Sequence, residues 1–248
     1  MSELNIENRA GAAPFAARSR RAAYVDVLFA VIAFAILAAL PFLFDSKALL
    51  DFVIRCSAFG LFATSLNLLV GYTGLISFGH GMFFGLGAYG FGLLMQRANI
   101  SIPLAMVCTL AITAVAAVVI GAICVRLKEI YFAFVTLAFQ MLIHSVILSW
   151  QSLTGGDQGL RGGIKRPVFW GIDLTNHVQL YIFSCTLLVI GLLLMRQIAQ
   201  SPFGYTLRMI RDNATRASFI GINVWRAKLT VFVLAALFAS VGGMIMSL

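Results

Sequence analysis

The sequence predicts an all-α protein, a polytopic bundle of about seven transmembrane helices, on three observations. The first is composition: 61% of the 248 residues are hydrophobic and only 11% charged, with a mean hydropathy of +0.97. That is more apolar surface than a water-soluble globule of this size can hide. The second is block length, because the apolar residues fall in runs of about 18 to 25, the number a helix needs to cross roughly 30 Å of hydrocarbon. The third is periodicity. Val31 to Leu40 are apolar on every face, whereas a membrane β-barrel needs strict alternation, and in lipid an unpaired backbone leaves no third choice.

Residues 1–23 form a polar tail, expected in the cytoplasm, that ends in Arg18, Arg20 and Arg21. The run from Tyr24 to Phe44 is too long for the apolar core of a signal peptide and is followed at once by a second span, so it reads as a retained first helix. Six more spans are expected at 48–70, 73–95, 102–124, 130–150, 178–195 and 227–247, which makes 24–248 a membrane domain with one long cytoplasmic loop at 196–228. With the N-terminus inside, twelve Lys and Arg fall in cytoplasmic segments and five outside. That bias is what the positive-inside rule requires. Arg55, within the second span, is expected to snorkel or to pair with Asp51 one turn earlier.

Two segments differ from ordinary spans. Gly71 to Gly92 is glycine-rich. Ser77, Gly81, Gly85, Ala88 and Gly92 line one small-residue face and Gly79, Gly87 and Gly90 another, so this helix is expected to be pressed between neighbours at the bundle centre. Gly71-Tyr72-Thr73-Gly74 reads either as a plain interhelical turn or as unwound backbone lining a cavity, the arrangement transporters use. The second segment is Gln200 to Lys228. Ser201 is a candidate N-cap with Pro202 at the first helical position, and Gly221 a candidate stop. Between them Leu207, Ile210, Ala214 and Ala217 form an apolar stripe against Arg208, Arg211, Asp212, Asn213 and Arg216, so a short amphipathic helix is expected on the inner membrane face. Lying on anionic lipid is the plainest role for it. In the fifth span Thr136, Gln140 and His144 recur every fourth residue and share a face, which suits either a pathway lining or interhelical hydrogen bonds. His80 is similar but solitary.

Other motifs dissolve on inspection. Gly85 to Gly90 matches GxGxxG, yet no strand precedes it and no acid follows about twenty residues on, so it is helix packing. No GxxxxGK[ST] occurs, and Asn213-Ala214-Thr215 is a glycosylation sequon by pattern only. The net charge of +9 is scattered between apolar blocks, without the basic face or stacking platform that nucleic acid requires. Cys56, Cys108, Cys124 and Cys185 have no CxxC spacing and read as packing thiols. Three histidines with no HExxH and no carboxylate cluster leave an intramembrane metalloprotease without ligands, and Gly74 to Gly79 does not supply a GxSxG nucleophile.

Three blocks taken together resemble the permease subunits of branched-chain amino acid ABC importers, in particular the M-type member of the permease pair. They are LNLLVGYTGLISFGHG at 66–81; IYFAFVTLA at 130–138 with LTGGDQGL at 153–160; and SPFG at 201–204 running to GINV at 221–224. The resemblance implies an importer permease fold in a bacterial cytoplasmic (inner) membrane and a transport subunit that is not itself an enzyme. It implies as partners a homologous second permease, two cytoplasmic ATP-binding subunits and a periplasmic substrate-binding protein. No cofactor would be bound directly, ATP and Mg being used by the partner subunits. The segment 201–221 then resembles a coupling helix, with Ser201, Gly204, Arg208, Arg211, Asp212, Asn213, Arg216 and Gly221 as its expected docking residues. Of the general importer loop pattern, EAA, three intervening residues and then Gly, Ala217 and Gly221 are kept. Asn67, Tyr72, Thr73, Ser77, His80, Thr136, Gln140 and His144 are the expected pathway residues. Family members continue past Gly242-Gly243-Met244 with further helices, so the chain is expected to be C-terminally truncated. The substrate class stays open among branched-chain and other amino acids, urea and short amides. A stand-alone channel or secondary carrier, and a nonfunctional remnant, are the competing readings.

Overall fold

The computed structural model describes residues 46–98, 100–160 and 175–248, with a few helical positions between 34 and 41. The chain divides into two compact units, 1–44 and 45–248, and all that follows concerns the second. The expected first span at 24–44 lies, those few positions apart, outside the described residues. Every regular element described is helical: α1 (Lys47–Thr73), α2 (Gly81–Arg97), α3 (Ile102–Cys124), α4 (Glu129–Ser149), α5 (Gln151–Thr154), a 3-10 turn (Gly156–Gln158), α6 (His177–Gln200), α7 (Pro202–Asp212), α8 (Ala214–Phe219) and α9 (Val224–Ser247). Five of them, α1, α3, α4, α6 and α9, are long and apolar enough to cross a membrane. At 17 residues α2 is shorter.

The core is built around α9, which packs against α1, α2 and α3. Of the most apolar stretch of α9, 56% is buried, against 17% for α4, so α9 is central and α4 peripheral. Small residues explain the difference. Between helices in lipid there is no hydrophobic driving force, and close van der Waals approach takes its place. A Cβ on Gly87 would strike the Ser240 carbonyl, one on Gly243 the Phe84 carbonyl, and one on Gly242 the Ala58 carbonyl. Where α3 meets α9, the Thr113 and Ser240 hydroxyls hydrogen-bond at 3.0 Å. Phe232 then receives Phe83 and Phe132 edge-on, at centroid distances of 5.4 and 5.9 Å, the offset geometry that aromatic quadrupoles favour. As expected, α2 is packed on more than one side: Gly87 faces α9, Gly90 faces Thr109 on α3, and Gly81 faces Gln140 on α4.

Two expectations are corrected. The span placed at 73–95 does not begin at Thr73, because α1 continues to that residue and 74–80 are not helical. Gly74 ends α1 in the left-handed conformation (φ 74°), its N–H donating to the Val70 carbonyl while the Leu75 N–H reaches Leu69. The amphipathic segment is two helices instead of one. Asn213 is extended (φ −160°) and its Oδ1 accepts from the Arg216 N–H at 2.8 Å, so it caps α8 where it was expected to continue α7. Of the two roles expected for Arg55, the pair with Asp51 is not formed among the described residues, where Asp51 lies 3.9 Å from His177 Nδ1, and snorkelling stays open.

Candidate functional site

The residues singled out from the sequence gather around the junction of α1 and α2. The last turn of α1 is held by α7, whose Leu207 and Ile210 are buried beneath it. The Arg211 guanidinium donates to the Gly71 carbonyl. That of Arg208 lies 5.1 Å from the Tyr72 ring and 5.3 Å from that of Tyr205, as a cation over aromatic faces. Past Gly74 the chain runs through buried Leu75, Ser77, Gly79 and His80 and meets α4, where a Cβ on Gly79 would strike the Thr136 carbonyl. Thr136 and Gln140 lie roughly 10 and 16 Å along α4 from Glu129 at 1.5 Å per residue. The helix α2 therefore starts part-way along a membrane-length helix. Irregular backbone is tolerated at such depth only when protein or a cavity surrounds it.

This junction concentrates unmet polarity. His80 Nε2 is 2.9 Å from Ser65 Oγ, and its ring packs on Phe62 and Phe83. Yet His80 Nδ1, Ser77 Oγ and Gln140 Oε1 have no hydrogen-bond partner among the described residues. An unpaired buried polar atom costs about 1–3 kcal/mol, so three near one break mark a place where packing was not the sole constraint.

Beside it lies a cleft of 390 Å³ between α2 and α4, with Gly81, Gly85 and Tyr89 on one wall and Gln140, His144 and Leu148 on the other. Both sets follow i, i+4, i+8 spacing, so each wall is one helix face. A larger cleft of 790 Å³ opens between the α3–α4 connection and the start of α9, lined by Arg126, Lys128 and Lys228. There Arg126 lies 5.6 Å from the Trp225 ring, an arrangement suited to a headgroup interface.

The expected pathway residues separate into distinct surroundings. Gln140 and His144 line the α2–α4 cleft, while Ser77 and His80 sit in the break. Thr136 is buried with its hydroxyl donating to the Ala133 carbonyl. Thr73 donates to Leu68, 3.3 Å away. Asn67 and Tyr72 face the other way and line a 340 Å³ groove against α6 with Leu192 and Met195. Of the expected docking residues, Ser201 caps α7 through the Gly204 N–H at 3.3 Å, Gly204 abuts the Ala199 carbonyl with no room for a Cβ, and Gly221 turns the chain at φ 88°. Arg208 and Arg211 hold α1. Asp212 and Arg216 are exposed, beside Phe219 at 84% exposure. The wall residues Tyr89 and Leu148 were missed. Their signal was the shared spacing with Gly81 and Gln140.

A bundle of membrane-length helices, broken at depth and gripped at one end by an amphipathic helix pair, defines a multi-pass helical membrane protein. The profile of the family described as branched-chain amino acid transport system / permease component matches residues 48–248, and the chain belongs to that family. It is similar to the high-affinity branched-chain amino acid transport system permease protein LivM of Salmonella typhimurium and to the protein of the same name from Escherichia coli. Each is 25% identical over 239 residues, covering 87% of this chain and 56% of the relative. The chain thus spans about half the length of the curated relatives it matches. No solved structure matches it.

Proposed function

We propose that this chain is a membrane-spanning permease subunit of an ATP-driven importer of branched-chain or related amino acids, and that it performs no reaction of its own. The observation that carries the reading is the grip of α7 on the end of α1. Arg211 on the Gly71 carbonyl and Arg208 on Tyr72 tie an amphipathic surface helix to the residues just before the break. A push on α7 and α8 from a cytoplasmic ATPase would reach the break without an intervening element. Such a push biases a two-state bundle between inward-open and outward-open arrangements. Exposed Tyr205, Met209, Asp212, Arg216 and Phe219 form the surface on which the ATPase would bear. ATP and Mg belong to two such subunits in the cytoplasm of a bacterial inner membrane. A second permease and a periplasmic binding protein complete the assembly.

The test is ATP-dependent uptake of radiolabelled leucine by proteoliposomes holding the chain and its partner subunits. Replacing Asp212, Arg216 and Phe219 together with alanine touches none of the contacts that hold α7 to α1. Uptake is expected to fall at least about tenfold, the effect of losing a few interface contacts, with the chain still inserted. Intact uptake in that variant sinks the docking role, and uptake without ATP favours a stand-alone carrier.

A further inference from the structure

Packing does not account for Gly85. In a helix, glycine costs about 1 kcal/mol relative to alanine, a loss normally offset by close approach, as where Gly87 meets the Ser240 carbonyl. A Cβ on Gly85 would meet nothing within 4 Å. What the missing side chain leaves is room, because Gly85 lies on the wall of the 390 Å³ cleft between α2 and α4, within the roughly 300–1,000 Å³ range of small-molecule sites. Across from it, Gln140 Oε1 is a buried acceptor with no donor among the described residues. The same oxygen would be 3.2 Å from a Cβ on Gly81, so glycine there also lets the amide come close to the first turn of α2.

The lining specifies a chemistry. No Lys, Arg, Asp or Glu is among the cleft residues, so an occupant with net charge would find no counter-ion. His144 and Tyr89 add groups that can donate hydrogen bonds. Met82, Met141, Ile143, Ile147 and Leu148 supply an apolar remainder. A solute that is neutral overall, carries an N–H donor beside an oxygen acceptor, and ends in an aliphatic chain satisfies all three conditions.

We propose that the α2–α4 cleft is a transit site for a zwitterionic aliphatic amino acid, Gln140 Oε1 accepting from its ammonium, His144 and Tyr89 facing its carboxylate, and Gly85 setting the space for its side chain. This rests on the transport reading above and deepens it by giving the substrate a place in this chain.

The experiment uses the complete complex in proteoliposomes and compares ATP-driven uptake of radiolabelled L-leucine and L-alanine. Gly85→Leu fills the cleft and is expected to reduce leucine uptake at least about tenfold, the scale on which one misplaced methylene is discriminated. Gly85→Ala has open space for its methyl and helix propensity in its favour, so it keeps the fold and is expected to lower leucine uptake several-fold more than alanine uptake. Gln140→Leu is expected to depress uptake of both. Gly60→Ala, whose Cβ makes only ordinary contact with Leu188 at 3.6 Å, serves as the unaffected control. If the unaltered complex takes up neither amino acid, the transport reading falls and this site with it. If the unaltered complex transports and the Gly85 and Gln140 variants retain both its rate and its leucine-to-alanine ratio, the site alone is overturned.

Discussion

Glycines that look alike in the sequence differ in what they touch. Gly243 lies against the Phe84 carbonyl and the Ala88 amide of α2, both fixed parts of a helix, so a methyl there must push two backbones apart. Gly243→Ala is expected to cost about 1–3 kcal/mol, as overpacked sites do, and to lower the melting temperature of the detergent-solubilised protein. Gly60→Ala meets only the end of the Leu188 side chain and is expected to raise it, by the helix propensity that alanine adds, about 0.5–1 kcal/mol. Equal melting temperatures for the two variants would remove close approach as the reason α9 sits where it does. The same distinction separates polar residues of one spacing. Thr136, Gln140 and His144 share a helix face, yet Thr136 is satisfied by its own helix while Gln140 and His144 reach a cleft. Spacing reports a common face, but a residue's role depends on which neighbour covers that face.

At the scale of elements, the five membrane-length helices among the described residues were legible to within about five residues, whereas α2 begins eight residues after the start expected for it. The expected spans at 102–124 and 227–247 correspond to α3 (Ile102–Cys124) and α9 (Val224–Ser247), because an unbroken apolar block bounded by charge has few other readings in lipid. The stop at Gly221 and the cap at Ser201 were legible for a similar reason, each resting on local backbone chemistry. The break at 74–80 was legible only at its start, where Gly71-Tyr72-Thr73-Gly74 offered unwound backbone as one of two readings. Leu75, Ile76 and Phe78 are as apolar as any span residue, and hydropathy does not record that the chain is crossing unwound. The cap at Asn213 was missed because an Asn inside an amphipathic pattern looks like one more polar-face residue. Its structural role gives a direct test. Asn213→Ala is expected to destabilise the start of α8 by about 1 kcal/mol, the usual worth of an N-cap. Trypsin should then cut faster after Arg211 and Arg216, both exposed. Asn213→Asp keeps a side-chain acceptor and should restore resistance. Unchanged cutting in the alanine variant would mean that α7 and α8 are held by packing and not by the cap.

At the scale of the whole unit, helix ends that touch one another sort the described basic residues into two groups. Arg211 reaches Gly71, Arg208 lies on Tyr72, and Arg126 lies on Trp225, which brings the end of α1, the α3–α4 connection, α7 and the start of α9 to one end of the bundle. Arg97 donates to the Ser152 and Leu153 carbonyls, placing the end of α2 with α5 at the other. Arg126, Lys128, Arg196, Arg208, Arg211, Arg216, Arg226 and Lys228 belong to the first end and Lys47 and Arg97 to the second, while Arg55, two turns into α1, belongs to neither. The positive-inside rule predicts that the first end faces the cytoplasm, the side on which the proposed ATPase would reach α7 and α8. This orientation is testable with the four native cysteines replaced by alanine and single cysteines placed at two exposed positions. Asp157→Cys in the 3-10 turn is expected to react with a membrane-impermeant maleimide on intact spheroplasts, whereas Ser218→Cys in α8 should react only after permeabilisation. The opposite pattern would reverse the orientation and remove the proposed ATPase docking surface from the cytoplasm. Labelling of both from outside would require an even number of crossings between 157 and 218, against the single pass of α6 among the described residues.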